Sequence, residues 1–188
     1  MTLVKRVLKP APLLVEHVDL FLQKTLPGPV LDLACGNGDN GIFLAQKGCQ
    51  VTCCDISPES LGQAEKLAEA KSARVETWQV DLEIDGVNPL PSDAYGAILV
   101  FRYLHRPLLG CIKKALKNDG LLVYETFTVE QPKFGKPRNP DFLLNPGELL
   151  QTFEDWEVIH YFEGTRENPA RAVAEIVCRK PEGIEQRA

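Results

Sequence analysis

The run from Pro29 to Gly48, P-V-L-D-L-A-C-G-N-G-D-N-G-I-F-L-A-Q-K-G, constrains the fold of this chain more than any other stretch. Val30 to Ala34 is a short apolar run, Cys35 to Gly41 is a glycine loop, and the remainder is a small amphipathic helix that stops at Gly48. The order is therefore strand, turn and helix. Gly36, Gly38 and Gly41 stand in G-x-G-x-x-G spacing, which lets backbone approach a ligand closely and leaves the first N–H groups of the helix free. Such a turn suits a ligand with a negative or polar group. An ordinary tight turn from strand to helix is the competing reading.

Charge narrows the ligand. Asp32 lies in the strand, Asp39 lies in the loop, and no Lys or Arg occurs between Pro29 and Gln46. Two carboxylates oppose the phosphates of a dinucleotide, and a helix-end charge of about half a unit does not clearly outweigh them. An ammonium group is attracted instead. S-adenosylmethionine carries an ammonium, a carboxylate and a sulfonium, and has no phosphate. The run V-L-D-L-A-C-G-N-G resembles the first motif of class I S-adenosylmethionine-dependent methyltransferases, in which an acid ends the first strand just before G-x-G.

The rest of the chain alternates in the way that resemblance implies. An amphipathic helix is expected from Pro12 to about Thr25, carried by Leu13, Leu14, Val18, Phe21 and Leu22. In this family such a helix often covers the cofactor pocket. Gln50 to Cys54 reads as a second strand ending at Asp55, which lies 19 residues beyond Gly36. That is close to the roughly 20-residue spacing at which an acid meets a ribose in doubly wound folds. Ser57 caps the next helix with Pro58 at its first position, leaving Asp55 for the ribose. Arg74 to Val80 is a third strand followed by Asp81, to which the resemblance assigns the exocyclic amine of adenine. Gly86, Pro89 and Pro91 leave the following crossover irregular.

Gly96 to Phe101 is a continuous apolar run, as expected of a strand buried on both faces, and a helix follows from Pro107 to Lys117. After Asn118-Asp119-Gly120, Leu121 to Glu125 is a fifth strand. Beyond a proline- and glycine-rich segment come a short helix to about Phe153, then strands at Trp156–Phe162 and Arg171–Arg179, read as an antiparallel pair around G-T-R-E-N-P. The fold expected is α/β, a doubly wound, mostly parallel seven-stranded sheet with an antiparallel C-terminal pair. Its ligand belongs outside the carboxyl ends of the strands. The resemblance implies a cofactor set of Asp32, Ala34, Cys35, Gly36, Gly38, Asp55, Ile56, Asp81, Leu82 and Phe101.

At 188 residues this is one domain, with residues 1–28 forming an N-terminal helix region and residues 126–146 a lid loop. A net charge of −5 gives no overall field toward nucleic acid or anionic membrane. No stretch approaches the roughly 20 apolar residues of a membrane span, the first residues lack a signal-peptide core, and a cytoplasmic location is expected. The six cysteines form no C-x-x-C pair, and the three histidines, His17, His105 and His160, lie far apart. No metal-ligand spacing is present.

Methyl transfer from a sulfonium needs chiefly alignment of acceptor and methyl group, so a base is optional. Tyr103 and His105, after the fourth strand, are the candidates if one is used. Methyltransferases acting on nucleobase amines carry Asn or Asp followed by Pro-Pro and an aromatic there, whereas this chain has F-R-Y-L-H-R. A small-molecule acceptor is expected rather than nucleic acid. Arg102, Arg106, Lys133, Lys136 and Arg138 either receive an anionic acceptor under the lid or are solvated loop charges. The segment F-G-K-P-R-N-P-D-F-L-L-N-P-G-E-L-L, with the later Y-F-E-G, resembles small bacterial methyltransferases of the tellurite-resistance type. A nicotinamide-dependent oxidoreductase and a noncatalytic cofactor-binding protein remain as alternatives, and the oligomeric state stays open.

Overall fold

A computed structural model describes residues 6–23 and 25–183. Its centre is a seven-stranded sheet in the order β3-β2-β1-β4-β5-β7-β6. The strands are β1 (Val30–Leu33), β2 (Val51–Asp55), β3 (Glu76–Gln79), β4 (Tyr95–Phe101), β5 (Leu116–Phe127), β6 (Glu157–Arg166) and β7 (Arg171–Arg179). β1 to β5 pair in parallel, and β7 runs antiparallel to both β5 and β6. Strand order reverses between β1 and β4, so the loops leaving their carboxyl ends splay apart and open a crevice.

Period-two alternation sends successive residues to opposite faces. Leu31, Leu33, Cys54, Ile98, Val100, Leu122 and Tyr124 build one core with helix α5 (Arg106–Ala115) and helix α6 (Glu148–Thr152). Val30, Val51, Cys53, Leu99 and Val123 build the other with the short N-terminal helices α1 (Pro12–Glu16) and α2 (Asp19–Leu22). Helix α3 (Asp39–Ala45) meets helix α4 (Pro58–Ala70) through Ile42, Leu67 and Ala68. Cys53 and Cys54, adjacent in β2, thus enter different cores, as the strand reading requires.

Several boundaries differ from the sequence pattern. The helix expected from Pro12 to Thr25 breaks after Glu16, where Leu20 and Phe21 donate three residues back to His17 and Val18 instead of four. That turn lets Leu14 and Phe21 reach the same core. Lys24, near the expected end, lies outside the described residues, as do the first five residues and the last part of the tail expected to fray from Glu182. α5 stops at Ala115 and β5 begins at once: Tyr95 pairs with Leu116, then Ala97 with Leu121. Asn118-Asp119-Gly120 is therefore a bulge inside a strand rather than a loop before one. Gly120 has no room for a side chain there, since a Cβ would stand 2.7 Å from the Lys117 carbonyl oxygen.

Residues 126–146 are more built than their composition suggests. β5 continues to Phe127, and two 3-10 turns follow at Gln131–Lys133 and Pro140–Phe142. The buried Gln131 side chain accepts from Ala172 N at 2.9 Å and donates to the Lys136 carbonyl at 3.0 Å. Arg106 grips the other end. Its guanidinium donates to both Glu148 carboxylate oxygens and to the carbonyls of Asp141 and Leu143. Glu148, held below the ordinary carboxylate range by Arg106, also accepts from Asn145 N at 2.8 Å; Gly147 is the N-cap of α6, so this bond closes the turn before the helix. The last turn differs too: β6 runs on through Gly164-Thr165-Arg166, where Arg166 forks onto the buried Glu175 of β7, so only Glu167–Ala170 is left to turn.

Candidate functional site

The glycine loop leaves β1 at Ala34, whose φ of 52° lies in the left-handed region, and turns through Gly36 and Gly38 into α3. Two close approaches make small residues necessary. A Cβ on Gly38 would stand 2.9 Å from the Ala64 Cβ, and one on Gly41 would stand 2.8 Å from the Cys53 Sγ and 2.9 Å from Asp32 Oδ2. Asp32 is the post behind the loop. It is buried at the end of β1 and accepts the Gly41 N–H at 2.8 Å. Burial pushes its carboxyl up to about 7, against the lowering effect of that hydrogen bond.

Asp55 fastens the loop from β2. One oxygen accepts from Gly36 N at 2.9 Å and the other from Ser57 N at 2.9 Å. Ser57 in turn caps α4 by accepting from Ser60 N at 3.2 Å. The acid and the cap therefore coexist. Asp81 stands exposed after β3 and accepts from Glu83 N at 2.9 Å.

Two cavities open along this carboxyl edge. The first, about 460 Å³, is walled by Ala34, Asp55, Ile56, Val80, Asp81, Leu82, Glu83 and Tyr103. Three of those residues are acids and none is basic. Ile56 is 61% exposed beside them, an apolar surface left uncovered within an acidic cleft. The second, about 500 Å³, is walled by Glu83, Arg102, Tyr103, Leu104, Phe127, Lys136, Pro137 and Phe142. Glu83 and Tyr103 belong to both walls, and the Tyr103 hydroxyl donates to Glu83 at 3.1 Å. Burial and the Glu83 carboxylate push the Tyr103 phenol far above its ordinary value, so it acts as a donor rather than a base.

The sequence-derived residues divide accordingly. Ala34, Asp55, Ile56, Asp81, Leu82 and Tyr103 converge on the first cavity. Gly36 and Gly38 carry its loop, whereas Cys35 and Phe101 pack against the core on the α1 side of the sheet. Asp32 lies beneath the loop, and Asp39 is turned away to pair with Arg6 while accepting from Lys9 N at 3.0 Å. The negative charge facing the cleft thus comes from Asp55, Asp81 and Glu83 rather than from Asp32 and Asp39. His105 borders a different, smaller cavity of about 270 Å³ with Asn88 and Cys111. Of the five basic residues, Arg106 serves as the clamp, Lys133 pairs with Glu130, and Arg138 lies off the wall; Arg102 and Lys136 remain. Glu83 and Phe127 were not singled out by sequence. The sole available signal for Glu83 was its place two residues after Asp81.

Histidines far apart in sequence do meet: the rings of His17 and His160 lie 4.9 Å apart, with His160 beside Glu175. Even so, no group of three potential ligands that could hold a metal occurs among the described residues. No described helix is long and apolar enough to cross a membrane.

This arrangement, with its doubly wound sheet, glycine loop and acids at the ends of β2 and β3, is that of a class I methyltransferase domain. Residues 30–120 match the family described as methyltransferase domain. The chain is 27% identical over 147 residues to TehB of Haemophilus influenzae, described as a probable S-adenosyl-L-methionine-dependent methyltransferase, across 75% of this chain and 50% of that protein. The crystal structure of TehB from that organism superposes with a TM-score of 0.68 at 23% identity, covering 87% of this chain and 62% of that one. Magnesium protoporphyrin IX methyltransferase from Synechocystis, solved with bound SAH, superposes with a TM-score of 0.67 at 18% identity, covering 89% and 81%. At these identities the structural likenesses speak for the fold. Over residues 30–120 the chain thus matches a methyltransferase family, and over three quarters of its length it is similar to TehB, described as a probable S-adenosyl-L-methionine-dependent methyltransferase. It spans about half the length of the curated TehB proteins it matches.

Proposed function

We propose that this domain transfers the methyl group of S-adenosylmethionine to an anionic small molecule held in the second cavity. The observation that carries the reading is the pair of adjoining cavities, one lined by three acids and the other by Arg102 and Lys136. When bound, S-adenosylmethionine supplies a methyl group already activated on a sulfonium. The acidic cleft suits its cationic groups. Each Asp55 oxygen accepts one backbone N–H and keeps a lone pair for a ribose hydroxyl. On this reading Asp81 takes the adenine amine, and Ile56 and Leu82 take the faces of the base.

The chain's part in the reaction is alignment. Tyr103 and Glu83 form the edge at which the cavities meet, and their hydrogen bond fixes that edge. Placing two reactants on either side of a fixed edge can supply most of the acceleration. His105, on another cavity, is left out of the reacting set. Residues 126–146 form the acceptor wall and lid. The net charge of −5 argues against nucleic acid as the acceptor, and six free thiols accord with a cytoplasmic location.

Incubation with methyl-labelled S-adenosylmethionine and separate low-molecular-mass, RNA and protein fractions of a bacterial lysate tests this. The expected outcome is label in the small-molecule fraction alone. Label in RNA or protein contradicts the small-molecule reading, and retention of all label on bound S-adenosylmethionine favours a noncatalytic protein.

A further inference from the structure

We infer that the acceptor of this domain is an organic anion with a flat apolar body, not a bare oxyanion and not a cation. The inference rests on the methyltransferase reading given above and concerns the second cavity alone. About 500 Å³ is the size of pocket that encloses a molecule of many heavy atoms. An oxyanion of four or five atoms would leave most of it to water.

The wall has two chemistries. Phe127, Pro137 and Phe142 give it apolar faces, and Phe142 keeps 48% of its surface exposed although its neighbours Leu143 and Leu144 are buried. Phe142 therefore still has apolar surface to offer a ligand at the rim of the cavity. Arg102 and Lys136 supply the charge, and neither makes an ion pair among the described residues. Arg102 N donates to the Glu125 carbonyl at 2.8 Å, which anchors its backbone, and the Lys136 carbonyl accepts from Gln131 at 3.0 Å, which anchors the other. The Arg102 charge is also felt by the buried Glu125 carboxylate, but with no ion pair on either cation the two can close on one carboxylate or phosphate. Glu83 orients what enters. Its carboxylate on the cofactor side repels the anionic end, so the nucleophilic end of the acceptor lies toward the edge shared with the first cavity.

The test is binding rather than turnover. Protein saturated with S-adenosylhomocysteine is titrated by calorimetry with 2-naphthoate, with 2-naphthylmethylammonium and with selenite. The expected result is that naphthoate binds while the ammonium compound and selenite do not. Naphthoate affinity should fall at least tenfold in the Arg102→Gln, Lys136→Gln double variant, fall severalfold in Phe142→Ala, and stay unchanged in Arg138→Gln, which removes a charge off the wall. Binding of the ammonium compound in preference, binding of selenite without naphthoate, no binding by any probe, or indifference to the double substitution overturns the inference. Failure of S-adenosylhomocysteine itself to bind is a separate outcome that strikes the cofactor reading, and naphthoate titration of the unliganded protein then still reads the second cavity.

Discussion

The two adjoining cavities, one toward β1–β3 and the other toward β4 and β5, hold their charges differently. On the β1–β3 side the acids are fixed by backbone: Asp32 by Gly41 N, Asp55 by Gly36 N and Ser57 N, Asp81 by Glu83 N. Every partner lies within one strand-turn-helix unit of its acid or in the next. On the other side the wall, apart from the shared Glu83, is assembled from residues after β4, at the end of β5 and beyond it, and its frame depends on Arg106 reaching 42 residues along the chain to Glu148. Short, backbone-fixed geometry makes a cleft that one motif can specify. Long-range side-chain clamps make a pocket that varies freely around it, as fits a common cofactor and a particular acceptor.

Asp32 offers the largest expected effect on the first side. Its folded carboxyl is raised to about 7 from an ordinary value of 3.8, so the native state binds a proton that the unfolded chain has released between those values. Its stabilising contribution is therefore fully present below about pH 4 and lost as pH rises through about 7. Integrated over that window the loss is at most on the order of 4 kcal/mol. Denaturant melts across pH 4 to 8 should show the slope, and Asp32→Asn, which can still accept from Gly41, should flatten it. An unchanged slope would mean that the loop is braced by something other than this buried acid.

Gly41→Ala comes next. A Cβ there meets Cys53 Sγ, Asp32 and Val51 within 3.0 Å, and expelling it should cost about 1–3 kcal/mol. A lowered melting temperature together with weaker S-adenosylhomocysteine binding is expected, with naphthoate binding to the folded variant retained. Loss of both ligands alike would erase the distinction between the two sides. The smallest effect belongs to the clamp. Arg106→Gln breaks partly exposed bonds and should lower stability by only about 1 kcal/mol. Amide exchange should nevertheless quicken over residues 139–145 and stay unchanged over 34–41, because the clamp serves only the acceptor side.

The same contrast explains what the sequence made legible. The mostly parallel seven-stranded sheet with its antiparallel C-terminal pair, the glycine loop, Ser57 as a cap, and Asp55 and Asp81 after strands follow from local pattern, and each stands where that pattern puts it. The charge argument on Asp39 did not transfer, because Arg6, 33 residues earlier, pairs with it. His105 and Tyr103 were equivalent in a string of letters, and the turn after β4 sends them to different cavities. Asn118-Asp119-Gly120 has the composition of a loop, and only pairing of Leu116 with Tyr95 reveals a bulge. Glu83 and Phe127 carry no motif at all; they matter through what folds beside them.

Calorimetric titration with S-adenosylmethionine and with NADH, on the natural protein and on Asp55→Ala, tests whether the acidic cleft takes S-adenosylmethionine through Asp55. The expected result is S-adenosylmethionine binding that weakens about tenfold to a hundredfold in the variant, the worth of charge-assisted hydrogen bonds, and no binding of NADH. Binding of NADH in its place, or S-adenosylmethionine affinity that Asp55→Ala leaves untouched, would contradict it.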